Sequence, residues 1–174
     1  EAKVERVVYA GSSSAYGDPP NGEAPKVETM PPLPRSPYAS TKLAGEHDMR
    51  AWAHSYGLDT AVLRYFNIFG PRQNANSAYA AVIAAFAKAL LGGETAMIFG
   101  DGEQSRDFTY VHNAVHANLL AARAEQPIEG EVFNVAVGRR VSVNELYRKM
   151  AEQLGRPDAE PRYEDPRAGD VRHS

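Results

Sequence analysis

The amino-acid sequence predicts an α/β fold, in which strands and helices alternate along the chain. Three apolar runs with strand-like composition occupy residues 7–9, 59–65 and 131–136, and we expect the last of them to be buried. Between the first two runs, Ser36 and Gly57 supply the start and stop signals of a long helix. This alternation favours a sheet whose faces are covered by helices.

The composition restricts the class of protein. With 174 residues, the chain is long enough for one domain with a hydrophobic core and short for two. A net charge of −3 without a basic run disfavours nucleic acid and anionic membranes as partners. Cysteine is absent, which excludes a disulfide framework and a thiolate metal site. We expect a cytoplasmic protein, because no signal peptide opens the chain and no apolar run could span a bilayer.

The first strand ends in hydroxyl groups, because three serines, 12–14, follow its β-prone residues. The proline-rich residues 18–35 predict an ordered surface loop, with a disordered linker as the alternative. A helix is then predicted over 38–56, since Ser36 can cap its free N–H groups and the next residue is proline. The apolar side of this helix, which would face the core or another subunit, contains Leu43, Met49, Trp52 and Ala53.

Tyr38 and Lys42 lie four residues apart near the start of this helix, so their polar ends share one face. A phenol normally loses its proton near pH ~10, which is too high for a base at neutral pH. A neighbouring ammonium group favours the phenolate and brings it into working range. A serine hydroxyl at the strand end could hold the reacting oxygen of a substrate against it. Taken alone, Tyr-x-x-x-Lys more often marks an exposed helical pair.

The pattern Ser…Tyr-x-x-x-Lys is similar to the catalytic signature of the short-chain dehydrogenases/reductases. The flanking runs, Ser-Ser-Ser-Ala-Tyr-Gly-Asp at 12–18 and Ser-Pro-Tyr-Ala-Ser-Thr-Lys at 36–42, resemble the extended branch of that family, the NAD-dependent nucleotide-sugar epimerases. The resemblance runs along essentially the whole chain and favours the catalytic interpretation.

The resemblance implies a role for each group of this signature. Ser12 orients the reacting hydroxyl, Tyr38 takes its proton as phenolate, and Lys42 activates the tyrosine and holds the nicotinamide ribose. These three residues are therefore expected to be catalytic and to face the NAD cofactor. Ser13 and Ser14 are expected to line the sugar pocket.

The resemblance also indicates which part of the fold is present. The sequence has no glycine-rich turn for a dinucleotide pyrophosphate. In the resembled family the βαβ units that hold NAD precede the strand with the catalytic serine, so the chain corresponds to the C-terminal half or more of such an enzyme. We expect one α/β unit over 1–174, with the later strands of a Rossmann-like parallel sheet up to about 70. A smaller, mainly substrate-binding lobe follows over about 71–174. The full-length enzyme is expected to be a homodimer.

Tyr65 and Asn67 follow the second predicted strand. Their run, Tyr-Phe-Asn-x-x-Gly-Pro, is similar to the epimerase loop whose asparagine contacts the sugar diphosphate and whose Tyr-Phe lines the nicotinamide end. Tyr65 is therefore expected to contact the cofactor and Asn67 the substrate. Without the resemblance, Asn67 would more often be a turn residue.

A helix is predicted over 79–91, ended by Gly92 and the glycine after it, and it should be buried because it is apolar on most sides. The run Ala-Tyr-Ala-Ala-Val-Ile at 78–83 resembles bacterial UDP-N-acetylglucosamine 4-epimerases. Ala81 and Val82 are accordingly expected to contact the substrate.

Arg106 belongs to Gly-Asp-Gly-x-x-x-Arg-Asp-Phe at 100–108, which begins in the tight turn of a predicted strand and turn over 97–102. This motif is specific to the resembled family, where the arginine binds the phosphates of the nucleotide. A planar guanidinium suits that task. A surface pair of Arg106 with Asp107 is the structural alternative.

The C-terminal run contains Arg-x-Gly-Asp, which resembles a second nucleotide-binding segment of the family. Arg167 would contact the phosphates and Asp170 the ribose. Ser174 stands where the family faces the sugar, and a bulky aromatic residue there excludes N-acetylated sugars. Because serine is small, the pocket could admit UDP-N-acetylglucosamine.

Two other patterns are interpreted as structural. His112 and His116 have a spacing that metals can use, but no third ligand is evident, so no metal site is expected. Ser142 and Glu145 form a capping box that opens a helix to about Leu154.

The implied reaction is NAD-dependent 4-epimerisation of a UDP-hexose through a 4-keto intermediate. The enzyme rival is a UDP-sugar dehydratase or decarboxylase of the same branch, which typically needs Asp-Glu where this chain has Ser13-Ser14. If the chain were complete as given, a catalytically inactive fragment that binds sugar nucleotides would be preferred. A reductase of small ketones is disfavoured, since the nucleotide-binding motifs would then serve no purpose.

Overall fold

The computed structural model describes residues 3–18, 24–75, 82–167 and 171–174. Within these ranges the chain forms nine strands, four α-helices and one 3-10 helix, Ser13–Tyr16. The strands and α-helices, in chain order, are β1 (Arg6–Ser12), α1 (Pro37–Tyr56), β2 (Asp59–Tyr65), β3 (Ile68–Phe69), α2 (Val82–Gly92), β4 (Met97–Phe99), β5 (Ser105–Asp107), β6 (Thr109–Tyr110), α3 (Val111–Arg123), β7 (Glu131–Val135), β8 (Arg140–Ser142), α4 (Val143–Gln153) and β9 (Arg162–Glu164).

The largest sheet has three parallel strands in the order β1-β2-β7. This arrangement confirms the predicted α/β class with a parallel sheet. The register aligns Gly11 with Arg64 and Ser12 with Tyr65. The carboxyl ends of the three strands therefore lie at one edge of the sheet, which is where open α/β sheets bind ligands.

Helices cover both faces of this sheet. Under α3 lies an apolar cluster that consists of Ala61, Leu63, Ala114, Ala121 and Val135. On the opposite face lies α1, whose fully buried side chains are Ala39 and Glu46. The face that carries α1 is therefore much less apolar than the face that carries α3.

A second apolar cluster joins α2, β4 and α4. Its buried members are Phe86, Ala89, Leu90, Ala96, Ile98, Val143, Tyr147 and Ala151. Around it, β4 pairs with β9 and β5 pairs with β8. The predicted division near residue 70 stays a prediction. Of the elements that follow it in sequence, α3 and β7 pack with the first sheet.

The predicted helix caps are confirmed. The Ser36 hydroxyl accepts a hydrogen bond from the Ala39 amide at 3.1 Å, and Gly57 ends α1 with a φ of 66° that favours glycine. The Ser142 hydroxyl likewise accepts from the Glu145 amide at 3.1 Å at the start of α4. Both helix starts follow from local sequence alone.

Two burial predictions are wrong. The strand predicted over 131–136 is β7, whose neighbour in the described part of the chain is β2 on one side, so Phe133 is 44% exposed. The second helix is buried on one side only, because α2 packs against α4 and leaves Lys88 and Leu91 exposed. The first residues of that predicted helix, 79–81, lie outside the described residues.

The described part of the proline-rich loop, residue 18 and 24–35, contains neither helix nor strand, but it is anchored. The Leu33 amide donates to the Ala15 carbonyl at 2.9 Å, and the Glu28 carboxylate accepts from the Asn134 amide at 2.7 Å. These contacts confirm an ordered surface loop in the described range. Among the described residues, no helix combines the length and apolar character needed to cross a membrane.

Candidate active site

The serine run turns at the carboxyl edge of the sheet, as predicted. Ser12 ends β1 and caps the 3-10 helix, because its hydroxyl oxygen accepts hydrogen bonds from the Ser14 amide at 3.2 Å and the Ser14 hydroxyl at 2.9 Å. The Ser12 hydroxyl keeps its own proton to donate. The turn therefore presents an oriented hydroxyl group at the end of the strand.

Tyr38 and Lys42 share one face of α1, which confirms the spacing argument. The Lys42 ammonium lies 5.9 Å from the centre of the Tyr38 ring and 5.5 Å from that of Tyr9. It also donates to the Ala10 carbonyl at 2.9 Å, which ties α1 to β1. The Tyr38 side chain is 57% exposed.

The second tyrosine beside Lys42 is Tyr9, which is more buried than Tyr38. Burial, followed by the Glu46 carboxylate, raises the pKa of Tyr9, so its phenol stays protonated at neutral pH. Its hydroxyl is directed to the Lys42 carbonyl at 3.4 Å. Of the two phenols next to Lys42, Tyr38 is thus the one that is open to a substrate.

A cavity of about 280 Å³ lies beside the serine run; we call it the hydroxyl cavity. Its lining comprises Ser12, Ser13, Ser14, Gly17, Arg35, Ser36, Ala39, Tyr65, Asn67, Arg106, Val171 and Ser174. Seven of the predicted site residues therefore meet around it. Tyr38 and Lys42 are not part of the lining, whereas Ser36 and Ala39 are, so the first turn of α1 forms part of the cavity wall.

A second cavity, of about 240 Å³, adjoins the first; we call it the apolar cavity. It shares Asn67 and Arg106 with the hydroxyl cavity and has three phenylalanines in its wall. Its lining comprises Asn67, Ile68, Phe69, Val82, Ile83, Met97, Ile98, Phe99, Gln104, Arg106, Phe108, Val143 and Arg167. The two cavities thus form a groove with a polar end, an apolar end and a guanidinium at the junction.

The junction is held together by Asn67. Its side-chain nitrogen donates to the Asp107 carbonyl at 3.0 Å and to the Ser174 carbonyl and hydroxyl at 3.3 and 3.2 Å. Asn67 therefore links the segment after β2 to the C-terminal residues. Its expected contact with a sugar diphosphate stays a prediction.

The C-terminal residues lie alongside β5. The Ser105 amide donates to the Arg172 carbonyl at 3.0 Å, and the Ser174 amide donates to the Ser105 carbonyl at 3.0 Å. This pairing brings Ser174 into the hydroxyl cavity, next to the serine run. The loop over 24–35 closes on the same segment, because the Lys26 ammonium donates to the His173 carbonyl at 2.6 Å. Burial lowers the pKa of Lys26, and the Asp18 carboxylate opposes that shift.

The apolar end carries an arginine stacked on an aromatic ring. The guanidinium carbon of Arg167 lies 3.9 Å from the centre of the Phe99 ring, and Val82 lies in the same wall. The predicted contacts of Ala81 and Asp170 lie outside the described residues.

Several residues that the structure places at the site were not predicted from the sequence. Arg35 lines the hydroxyl cavity, and Asn118 donates to the Tyr65 hydroxyl at 2.6 Å. Asp107 is buried and accepts from the Val137 and Gly138 amides at 3.0 and 2.7 Å, so it is not half of an exposed surface pair. These hydrogen bonds join residues that are far apart in the sequence, so no local sequence pattern reveals them. The two histidines of the predicted spacing both lie exposed on α3.

The family is decided by comparison with known proteins. Residues 1–136 match the model of the NAD dependent epimerase/dehydratase family. The chain belongs to this family. A UDP-glucose 4-epimerase of Mycolicibacterium smegmatis is 42% identical over 175 residues, covering 99% of this chain and 54% of that enzyme.

Solved structures of family members have the same fold. The UDP-N-acetylglucosamine 4-epimerase of Methanobrevibacter ruminantium, in complex with UDP-N-acetylmuramic acid, superposes with a TM-score of 0.91 at 45% identity, over 98% of this chain and 53% of that one. The UDP-glucose 4-epimerase of Thermus thermophilus, in complex with NAD, gives 0.85 at 35% identity, over 98% and 55%. The chain therefore spans about half the length of the family members it matches.

Proposed function

We propose that the chain provides the substrate groove and the proton-transfer residues of an NAD-dependent enzyme that inverts C4 of a UDP-hexose through a 4-keto intermediate. The observation that carries this proposal is the groove itself, in which Arg106 separates a hydroxyl-lined end from an apolar, aromatic end. A UDP-sugar has the same order of chemistry: a polyol, a diphosphate and a planar base. Tyr38 and Lys42 stand at the hydroxyl end, where the sugar would lie.

The arginines suit the diphosphate. Arg106 lies at the junction of the two cavities, and Arg167 lies in the apolar cavity against Phe99. Guanidinium groups make paired hydrogen bonds to phosphate oxygens. Asp170 is proposed to bind the nucleotide ribose, and Ala81 with Val82 to contact the bound substrate.

Tyr38 is proposed to take the proton of the 4-hydroxyl group. Ser12 would orient that hydroxyl by donating its own proton, since its oxygen already accepts two hydrogen bonds within the turn. Lys42 would stabilise the negative charge of the phenolate from the same helix face. Ser13 and Ser14 would hold the other sugar oxygens, and Asn67 would contact the sugar diphosphate.

The donor set at the carboxyl edge of the sheet fits the nicotinamide end of NAD. Lys42 offers an ammonium group for ribose hydroxyls, and Tyr65, whose hydroxyl is held by Asn118, lines the hydroxyl cavity. When bound, NAD supplies reversible hydride transfer at C4. The chain's own residues position the sugar and move the hydroxyl proton.

A dehydratase or decarboxylase reaction is the alternative within the family. It would require an acidic group next to the reacting sugar carbon. Among the described residues that line the hydroxyl cavity, none is a carboxylate, and Ser13 and Ser14 occupy the relevant turn. This lining supports epimerisation.

Ser174 bears on which sugars are accepted. It lies in the wall of the hydroxyl cavity and leaves space that a larger side chain would fill. We expect Ser174→Tyr to suppress turnover of UDP-N-acetylglucosamine while turnover of UDP-glucose is kept. Initial rates on both substrates test this expectation, and equal losses on both would refute it.

Assembly and location complete the proposal. A cytoplasmic homodimer would use the outer side of α1, where Trp52 and Tyr56 are 48% and 74% exposed and their rings lie 4.6 Å apart. Sedimentation velocity of the full-length protein reports the state directly, and a monomer would contradict the dimer.

The function itself is tested by incubating the full-length protein and NAD with UDP-glucose or UDP-N-acetylglucosamine. Proton NMR should show the C4 epimer of at least one of them. Loss of water from either UDP-sugar, or loss of carbon dioxide from a UDP-sugar that carries a carboxylate, would favour the alternative. Binding without any turnover would indicate a sugar-nucleotide-binding protein.

A further inference from the structure

The helix that carries Tyr38 and Lys42 is fastened to the sheet by a buried ion pair. Within the described chain, Ala39 and Glu46 are the fully buried side chains of α1, and one of the two is charged. Glu46 and its partner Arg64 are each 4% exposed. A 20-residue helix normally docks through an apolar stripe, so a buried carboxylate in that place requires an explanation.

The geometry of the pair is strongly directional. The Arg64 Nε donates to both carboxylate oxygens of Glu46 at 2.9 and 3.1 Å, and its Nη2 donates to one of them at 2.6 Å. A fork of this kind restrains the distance and the angle between helix and strand at once. Apolar packing would restrain neither as tightly.

The same guanidinium reaches the serine turn. The ring centre of Tyr16, the last residue of the 3-10 helix, lies 4.6 Å from the guanidinium carbon of Arg64. The Tyr16 hydroxyl donates to the Asn134 side chain on β7 at 2.8 Å, which fixes the ring. Arg64 therefore contacts both pieces of the site, the helix with Tyr38 and the turn that begins at Ser12.

We infer that Glu46 and Arg64 are positioning residues, which set the place of Tyr38 and Lys42 relative to the serine turn. This inference rests on the proposed function. Tyr38, Lys42 and Glu46 follow one another at four-residue spacing on one face of α1. The eight residues from Glu46 to Tyr38 span about 12 Å of helix. A tilt of α1 by about 5° at Glu46 would thus move Tyr38 by about 1 Å, and a misplacement of that size can cost about 100-fold in rate.

Two details indicate that the pair does not serve stability alone. The Nη1 atom of Arg64 is buried and has no hydrogen-bond partner in the described part of the chain, which is costly. Apolar replacement of a buried ion pair is often neutral or stabilising, so stability alone does not require a charged pair at this position. The pair also lies close to β1, since a Cβ at Gly11 would be 3.1 Å from both a Glu46 carboxylate oxygen and a Val62 methyl carbon.

The test compares single and paired replacements in the full-length enzyme. Glu46→Gln or Arg64→Met leaves one buried polar partner alone and should lower both the melting temperature and kcat. The double variant Glu46→Met with Arg64→Met removes both charges, so its melting temperature should return to near the wild-type value. Its kcat should stay about 10- to 100-fold low, with KM for the UDP-sugar changed by less than about threefold. A kcat that recovers together with the melting temperature would reduce the pair to a structural role and overturn the inference.

A second readout does not depend on turnover. Crystal structures of the full-length wild type and of the double Met variant give the distance between the Tyr38 and Ser12 hydroxyl groups, which reports the position of α1 relative to the serine turn. We expect this distance to differ by about 1 Å between the two proteins, because Tyr38 lies two helical turns from the ion pair. An unchanged distance would overturn the inference while leaving the proposed function intact. A wild-type protein that epimerises nothing would refute the function, and the same distance would still decide the positioning role.

Discussion

On one face of the β1-β2-β7 sheet, α3 covers an apolar cluster that includes Leu63 and Val135. On the other face, hydrogen bonds connect α1 to the strands. Lys42 donates to the Ala10 carbonyl, Arg64 donates to the Glu46 carboxylate, and the Thr60 hydroxyl donates to the Met49 carbonyl. Both helices pack on the same sheet. The buried cluster under α3 is apolar, whereas the buried contact of α1 includes an ion pair.

The two kinds of contact restrain a helix differently. Apolar burial supplies free energy without direction, so the cluster under α3 contributes mainly stability. Two hydrogen bonds also connect α3 to the sheet, from Arg6 to the Ala121 carbonyl and from Asn118 to the Tyr65 hydroxyl. Hydrogen bonds depend on distance and angle, so α1 is held at one position along and around its axis. The helix that carries Tyr38 and Lys42 is the one with a directional ion pair at the centre of its buried contact. We therefore expect stability to depend mainly on the α3 face and the proposed catalytic geometry to depend on the α1 face.

The largest expected effect on stability is on the α3 face. Leu63 is 3% exposed within the apolar cluster, so Leu63→Ala should lower the free energy of unfolding by about 2–5 kcal/mol. The rate per folded molecule should stay close to wild type. Urea unfolding, combined with activity below the transition, measures both quantities. A large loss of kcat with little loss of stability would break the comparison.

On the α1 face, the sensitive position is Gly45. A Cβ there would overlap the Tyr9 hydroxyl, so Gly45→Ala forces either the Tyr9 ring or α1 to shift. Alanine normally stabilises a helix interior by about 0.5–1 kcal/mol over glycine, but here overpacking should cost about 1–3 kcal/mol and reduce kcat.

Gly92→Ala in α2 is the matched control for this change, because the nearest atom to its new Cβ is 3.8 Å away. It should be neutral or stabilising, with unchanged activity. Equal behaviour of the two alanine variants in melting and kinetic measurements would show that close contact of α1 with Tyr9 is unimportant.

The smallest expected effect concerns the ion pair between Asp59, at the amino end of β2, and Arg6. Partial burial alone would raise the pKa of Asp59, but hydrogen bonds from the Glu129 and Ile128 amides and from Arg6 outweigh it and lower the pKa. A lowered folded-state pKa stabilises the protein above the unfolded value of about 3.9, and this contribution is lost as the pH falls below it.

Asp59→Asn should therefore lower the melting temperature near pH 7 and flatten its decline below about pH 4. Because Arg6 also donates to the Ala121 and Ala124 carbonyls at the end of α3, the loss should be confined to stability. Melting curves from pH 2 to 7 measure it. Parallel pH profiles for the variant and the wild type would contradict the assigned ionisation.

What the sequence predicted well is local. The caps at Ser36 and Ser142 were predictable because a hydroxyl and an amide three residues apart interact within one turn. The Tyr38–Lys42 face followed from helical periodicity alone. The grouping of Ser12, Asn67 and Ser174 was reached through motif resemblance, which carries tertiary information that composition does not.

The remaining features depend on distant partners. A charged residue on a helix is ordinarily exposed, so nothing local marks Glu46 as buried; its partner lies 18 residues away on β2. Asn67 is fixed by a residue 107 positions later. The exposure of β7 depends on whether a second strand lies next to it, which its own apolar run does not reveal.

The most direct test of the proposed mechanism is the kcat of Tyr38→Phe in the full-length enzyme with UDP-glucose, with Tyr56→Phe on the same helix as control. Loss of the phenol should lower kcat by about 10²–10⁴-fold while binding of the UDP-sugar, measured by calorimetry, changes little. The control should keep near-normal turnover. Near-normal kcat for Tyr38→Phe would contradict the assignment of Tyr38 as the group that takes the proton.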